Sequence, residues 1–278
     1  MMARMDELEQ AVEAIASARG ILVTAGAGMG VDSGLPDFRG PEGFWRAYPP
    51  YRELGLRFEE LAQPGWFERD PSLAWGFYGH RLTLYRDTEP HEGFAILRRW
   101  AEARPEGAFV FTSNVDGHFE KAGFAPERIV ECHGSLMFAQ CARSCGVGIF
   151  EADFEVEVDP KTFRAAEPLP KCPRCGALAR PNVLMFDDWD WDGSRVQASE
   201  ERLEAWLGRL GDGLVIVEAG AGTRVPTVRW FGERVASLTG ARLVRINLRE
   251  PQGPPSSIPL AMRARDALEE LDRRLGSR

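Results

Sequence analysis

The chain of 278 residues has no apolar run that approaches the ~18 residues needed to cross a bilayer. Nor does it carry an excess of positive charge. Its 34 Lys and Arg stand against 42 Asp and Glu, a net charge of -8, so the electrostatic footprint of a nucleic-acid or anionic-membrane binder is missing. The N-terminal stretch MMARMDELEQAVEAIASARG is acidic and helical in period, without the basic, apolar, small-residue order of a secretory leader, and a cytoplasmic protein is expected. Cysteine is scarce at five residues, which argues against a disulfide scaffold and for asking about metal. Repeats and low-complexity tracts are absent.

What is present is an alternation. A helical pattern from Asp6 to Ser17 feeds the buried-strand run ILVTAG, and further short apolar runs follow: AFVFTSN (108–114), RIVECHG (128–134), PNVLMF (181–186), GLVIVEAG (213–220) and ARLVRIN (241–247). Helical patterns fall between several of them, at 92–103, 200–210, 228–238 and 260–275. Continuous apolar strands alternating with helices predict an α/β fold with a parallel sheet covered on both faces, and ligands at the carboxyl ends of its strands. Two segments break the pattern: a helical insert at 41–89, rich in aromatics and proline, and a cysteine-bearing stretch at 136–180. Together these predict a second, smaller domain, with 1–40, 90–135 and 181–278 forming the larger one. The stretch REPQGPPSSIPL reads as a surface loop before the last helix.

Three residues separate Cys141 from Cys145 and two separate Cys172 from Cys175, and the segment between the pairs is too polar to build a core. Two thiolate hairpins facing each other make a tetrahedral site that suits zinc, with all four positions filled by protein and none open for water activation. Four ordinary buried cysteines, or an iron-sulfur cluster, are the alternatives. Cys132, isolated at a strand end, reads as a packed thiol.

After ILVTA comes GAGMG, whose glycines at 26, 28 and 30 would let backbone amides approach a pyrophosphate. The spacing is GxGxG, and no second strand ending in an acid follows within ~20 residues, so an ordinary dehydrogenase is disfavoured. The turn runs instead into DSGLPDFRG, a loop able to close over a dinucleotide.

These motifs, in this order, resemble the sirtuin family of NAD-dependent protein lysine deacylases. GAGMGVDSGLPDFRG is similar to the family's GAGxSxxSGIPDFR, TSNVDGHFEKAG to TQNxDxLHxxAG, ECHGS to its HG motif, GAGT to its GTS segment and RIN to its INxE strand. The resemblance covers nearly the whole chain. It implies a Rossmann-like NAD-binding domain with a smaller zinc-binding and helical domain, NAD as co-substrate and a structural zinc. By the same resemblance His133 is the general base, Asn114 and Asp116 lie beside the nicotinamide and its ribose, and Phe38 shields the reactive ribose carbon. Gly26, Ala27, Gly28, Asp37 and Arg39 belong to the cofactor loop, while Gly222, Thr223 and Asn247 contact ribose and adenine. The implied chemistry is attack of an acyl oxygen on the ribose carbon as nicotinamide leaves, after which His133 activates a ribose hydroxyl. A neutral histidine suits that task. His80, His91 and His118 read as structural or surface residues.

The chain departs from the family at Gly30, where a Ser is usual, at Ser113, where the Gln near the ribose is usual, and at Arg224. The family's VVxFGExLP becomes NVLMFDDWDWDG, in which backbone atoms near Met185, Phe186 and Asp187 are expected to pair with an extended acyl-lysine peptide. The acids Asp187, Asp188, Asp190 and Asp192 would favour a basic peptide or form a solvated loop. Tyr78 and Arg81, three apart on a predicted helix, resemble the YxxR pair of sirtuins that act on succinyl, malonyl and glutaryl lysine; an arginine fork with a tyrosine hydroxyl can hold a carboxylate. NAD hydrolysis, ADP-ribose transfer to protein, or a non-catalytic NAD-binding module are the competing functions. Neither a membrane nor nucleic acid is expected as a partner.

Overall fold

The computed structural model describes residues 2–36 and 40–277. Helix α1 (Met2–Ser17) leads into strand β1 (Gly20–Ala25) and the one-turn helix α2 (Gly28–Val31). The aromatic insert is helical: α3 (Gly40–Ala47), α4 (Pro49–Glu53), α5 (Phe58–Leu61), α6 (Trp66–Arg69) and the long α7 (Pro71–Asp87). Then come α8 (Glu92–Glu102), β2 (Ala108–Thr112), α9 (His118–Lys121) and β3 (Ile129–Glu131), followed by β4 (Gly134–Cys141), β5 (Ile149–Glu151) and β6 (Ala179–Val183). The chain closes with α10 (Ser194–Leu210), β7 (Leu214–Ala219), α11 (Thr227–Thr239), β8 (Arg242–Ile246), β9 (Ile258–Leu260) and α12 (Ala264–Gly276).

Among the described residues, six parallel strands run in the order β3-β2-β1-β7-β8-β9. Every residue of β1, β2 and β7 is buried, because helices cover both faces. Successive side chains point to opposite faces: Ile21, Val23, Val110 and Val217 pack under α1, α8 and α12, while Leu22, Phe109, Phe111 and Ile216 pack under α10 and α11. The ring of Phe231 on α11 stacks on Phe111 at 3.8 Å. Within this apolar sheet one buried ion pair stands out: Arg245 of β8 donates to Glu218, its register partner on β7, at 2.6 and 3.1 Å, and also pairs with Glu233 at 2.8 Å.

Three sequence expectations change. The run 181–186 ends as a strand at Val183 and lies outside the parallel sheet, in an antiparallel sheet of order β5-β4-β6. The presumed surface loop before the last helix contains β9, an edge strand paired only with β8; Pro259 is tolerated because at an edge its missing N–H costs no ladder bond. The run 128–134 divides, with β3 ending at Glu131 in the large sheet and β4 starting at Gly134 in the small one.

The small sheet shares an aromatic core with the helical insert, built on Phe44, Tyr48, Tyr51, Phe77 and Tyr78 with Leu136, Ala139 and Val183. Helix α7 starts on an Asp70 side chain that accepts from the Leu73 amide at 3.1 Å, and Pro71 supplies its first turn. The same Asp70 takes a bidentate bond from Arg164 at 2.9 and 2.7 Å, and the Tyr51 hydroxyl donates to the Phe163 carbonyl at 3.0 Å. These bonds tie the insert to the cysteine-bearing segment. No described helix is long and apolar enough to cross a membrane.

Candidate active site

Counted by rank in the chain, the strand order of the large sheet is 3-2-1-4-5-6, and the switch point where ligands gather lies between β1 and β7. The two turns leaving these strands touch backbone to backbone. Gly26 N–H donates to the Ala219 carbonyl at 3.1 Å, and Gly28 N–H to the Gly220 carbonyl at 3.0 Å. Gly220 has φ +66, and a Cβ there would lie 2.2 Å from the Met29 nitrogen and 2.3 Å from the Gly28 carbonyl carbon. Sequence reasoning put the second turn's contribution at Gly222 and Thr223; the structure places Gly220 against the first turn. The signal available was its position immediately after the strand. Ala27 precedes α2 and belongs to the same turn.

From the end of β2, Thr112 Oγ1 donates to the Ala25 carbonyl at 2.9 Å and accepts from the Asn114 amide at 3.1 Å. Asn114 Nδ2 then reaches the Gly26 carbonyl at 3.2 Å, fastening this loop to the glycine turn. Asp116 is buried and its Oδ1 accepts from the His118 amide at 3.0 Å; burial raises its carboxyl above the usual range, opposed by His118 and by Arg81. Gly30 faces this acid, since a Cβ there would sit 3.6 Å from Asp116 Oδ2 and 2.9 Å from the end of Leu35.

His133 occupies the two-residue step, Cys132–His133, by which the chain passes from one sheet to the other. Cys132 N–H donates to the Thr112 carbonyl at 2.8 Å, and the His133 carbonyl accepts from Leu184 N–H at 2.9 Å. Gly134, at φ +76, allows the crossing, because a Cβ there would meet the Asn182 carbonyl oxygen at 2.1 Å. Burial lowers the His133 pKa below the ordinary histidine value, partly offset by a hydrogen bond to the Ser113 backbone. The ring is therefore neutral at neutral pH with one nitrogen engaged, which leaves the other to accept a proton. The neighbouring Cys132 thiol is pushed up to about 12 by burial, in keeping with a packed thiol.

Tyr78 and Arg81 are both buried on α7. Arg81 donates from Nε and Nη2 to the Tyr85 hydroxyl at 3.0 and 2.7 Å, and its guanidinium lies 5.1 Å from the centre of the Phe77 ring and 5.3 Å from that of Tyr85. Sequence reasoning missed Tyr85, which the i, i+4 spacing from Arg81 could have supplied. His80 contacts the Tyr48 hydroxyl, and His91 is wholly structural: Nδ1 caps α8 through the Gly93 amide at 3.0 Å while Nε2 meets the Met29 carbonyl at 3.0 Å. His118 is fully buried beside Phe94.

After β6 the chain passes directly beneath His133. Met185 is buried in the aromatic core, Phe186 is exposed, and Asp187 turns the chain at φ +56. The amides of Leu184, Met185 and Phe186 are already spent on the His133 carbonyl, Asp188 Oδ2 and the Ala62 carbonyl. Among the described residues no donor meets the carbonyls of 184–186, so an incoming strand would pair there by donating its own N–H groups. The acidic run is not uniform. Asp188 is fully buried in a bidentate pair with Arg180, Nη1 to Oδ1 at 2.9 Å and Nη2 to Oδ2, and Asp192 Oδ1 accepts from the Ser194 amide.

The four paired cysteines converge, their sulfurs all within 4.8 Å of one another and Cys141–Cys175 and Cys145–Cys172 at 3.6 Å. A tetrahedron with Zn–S bonds of ~2.3 Å has an edge of ~3.8 Å. Four thiolates at that spacing fit a structural zinc, and the Arg143 amide donates to Cys141 Sγ at 3.4 Å, which supports the charge.

Beyond the glycine turns, an open cleft of about 540 Å³ is lined by Gly28, Asp32, Gly220, Asn247, Arg249 and Arg263. Asn247 is buried and holds the cleft's loops together: Nδ2 donates to the Ala221 carbonyl at 2.8 Å, and Oδ1 accepts from the Arg249 and Glu250 amides at 3.0 Å each. Thr223 gives its hydroxyl to Glu250 at 2.6 Å and its amide at 3.2 Å. Glu250 was not singled out by sequence reasoning. The expected cofactor residues Asp37, Phe38 and Arg39 lie outside the described residues.

A family model described as Sir2 family matches residues 26–204. The chain is 35% identical over 271 residues to NAD-dependent protein deacylase 2 of Pyrobaculum aerophilum, covering 95% of this chain and 96% of that protein. It is 30% identical to the NAD-dependent protein deacylase of Aeropyrum pernix, with 98% and 99% covered. Among solved structures it is similar to a Sir2 homologue in complex with NAD, at 27% identity and a TM-score of 0.73 over 97% of this chain and 94% of that one.

Proposed function

The chain belongs to the Sir2 family, and from that membership we propose that it is an NAD-dependent deacylase of protein lysine side chains, releasing nicotinamide and O-acyl-ADP-ribose. The observation that carries this reading is the position of His133, a neutral imidazole at the crossing between the sheets, above the loop that brings Asn114 to the glycine turn. Gly26, Ala27, Gly28 and Gly220 would hold the pyrophosphate, and Ser113, Asn114 and Asp116 the nicotinamide ribose. The adenosine end falls to Gly222, Thr223 and Asn247, and Asp37, Phe38 and Arg39 to the covering loop. When bound, NAD supplies a ribose carbon made electrophilic by loss of nicotinamide. His133 takes a ribose hydroxyl proton on its free ring nitrogen, while its other nitrogen stays with the Ser113 backbone. The segment 184–186 receives the substrate strand through its carbonyls, with Met185 beneath it and Phe186 and Asp187 at its edge. The helical insert and the cysteine-bearing segment act as the small domain, and four cysteines arranged for metal rather than as a disulfide framework are in keeping with a cytoplasmic location.

A specific observation extends the acyl groups to acidic ones. Arg81 keeps a guanidinium among four aromatic rings with Tyr78 on the same helix, where a carboxylate at the end of an acyl chain would be charge-complementary. Mass spectrometry of products from acetyl-, succinyl- and malonyl-lysine peptides with NAD tests the whole reading. Deacylated peptide with O-acyl-ADP-ribose is expected, and His133→Ala should lower turnover by about 10²–10⁴. Free ADP-ribose with untouched peptide would replace the reading by NAD hydrolysis. Arg81→Met should depress desuccinylation at least about tenfold more than deacetylation; equal losses would remove the carboxylate clamp.

A further inference from the structure

Trp189 is 94% exposed, yet the turn that carries it is held from both sides. Asp188, one residue before, is locked by buried Arg180. One residue after, the Asp190 carbonyl accepts from Gln140 Nε2 at 2.8 Å, while Gln140 Oε1 accepts from the Asp192 amide at 3.1 Å and Asn182 Nδ2 donates to the Asp192 carbonyl at 2.9 Å. An indole presented to water on a fixed support adds nothing to the core, and it is not a scattered apolar residue. Leu184, 38% exposed and bonded through its amide to the His133 carbonyl, and Phe186, 40% exposed, are further exposed apolar residues on the same segment. Of the four acids here, the side chains of Asp188 and Asp192 are engaged, whereas Asp187 and Asp190, before and after Trp189 in the chain, are exposed and their carboxylates meet no partner among the described residues.

Resting on the deacylase reading above, we propose that Trp189, flanked by Asp187 and Asp190, is a specificity-determining contact that reads a cationic side chain, arginine above all, in the substrate peptide a few residues from the acylated lysine. A peptide paired with the carbonyls of 184–186 lays alternate side chains along Leu184 and Phe186 and arrives at the indole. A planar guanidinium stacks on that face while its edge N–H groups meet the two carboxylates. The protein's net charge of -8 favours the same occupant.

The test is kcat/KM on acetyl-lysine peptides identical except for Arg, Ala or Glu scanned through the flanking positions on each side. At one or two positions the wild-type enzyme should prefer Arg over Ala by about fivefold or more, with Glu disfavoured. That ratio should fall towards one in Trp189→Ala, survive in part in Trp189→Phe, and lose its salt sensitivity in Asp187→Asn/Asp190→Asn. Fluorescence anisotropy of labelled peptides reads the same ratio without turnover. A wild-type ratio near one, or an unchanged ratio in Trp189→Ala, overturns the proposal. So does sedimentation showing that Trp189→Ala dissociates a dimer while the ratio stays intact, since the indole would then serve contact between copies. Absence of turnover on every peptide would instead count against the deacylase reading, with anisotropy still deciding the role of Trp189.

Discussion

Strands β1 and β6 are buried at every position, yet one reads Gly-Ile-Leu-Val-Thr-Ala and the other Ala-Arg-Pro-Asn-Val. In the large sheet burial is met by removing apolar surface from water, at ~25 cal/mol per Å². In the small sheet it is met largely by pairing polar groups, Arg180 with Asp188 and Asn182 Nδ2 with Gln140 Oε1 at 2.9 Å, although Arg180 Nε and Asn182 Oδ1 find no partner among the described residues, and four sulfurs gather at the end of β4. Truncating an apolar side chain in the large sheet costs its own transfer energy and a cavity, but leaves no polar group stranded. In a polar network, losing one member strands the desolvated remainder. The two halves should therefore fail differently.

Metal removal should separate them most sharply. Structural zinc sites contribute on the order of 10 kcal/mol, so chelation, or Cys172→Ser, should make residues 136–180 sensitive to limited proteolysis and abolish deacylation, while far-UV circular dichroism keeps the helices of the large sheet. A folded, active, metal-free protein would break the comparison. Next in size are the buried ion pairs. Arg180→Met leaves Asp188 buried without its partner and Arg245→Met does the same to Glu218, each at a cost of about 3–5 kcal/mol in urea unfolding. Only Arg180→Met should also raise KM for peptide below the unfolding transition, because Asp188 fixes the substrate-side turn. Equal effects on KM would erase that distinction.

The pH profile probes the junction. A base whose pKa burial has lowered stays unprotonated further into acid, so the acid limb of kcat/KM assigned to His133 should lie below pH ~6.5. A limb above that value would mean that the ring is not desolvated. The smallest effect is expected from Gly30→Ser, whose hydroxyl would approach Asp116 Oδ2 once the flexible end of Leu35 yields. Activity should change by no more than about threefold, as suits one neutral hydrogen bond; complete loss would show that the site has been rebuilt around glycine.

The large sheet was legible because its strands are apolar throughout and its helices amphipathic, so pattern and burial coincide. Local motifs placed the glycine turn and the loops after β2 and β7 at one end of that sheet, and spacing placed the cysteine pairs together. Less legible was everything in which polar groups satisfy one another at a distance. β6 looked like one more strand of the parallel sheet because Val183, Leu184 and Met185 are apolar, while the membership is decided by Arg180 and Asn182. β9 was hidden by prolines that only an edge tolerates. Gly220, Tyr85 and Glu250 escaped because their partners lie in other elements or, for Tyr85, because the three-residue pair drew attention from the fourth.

The two-residue step at Cys132–His133 has a kinematic consequence. Three peptide units join Glu131 to Gly134 and span at most about 11 Å, so at this point the two sheets cannot draw far apart, whatever opening occurs elsewhere. Any change in the angle between the two sheets must keep this short link intact. His133 lies on that link, so its ring stays beside the Ser113 backbone that it bonds.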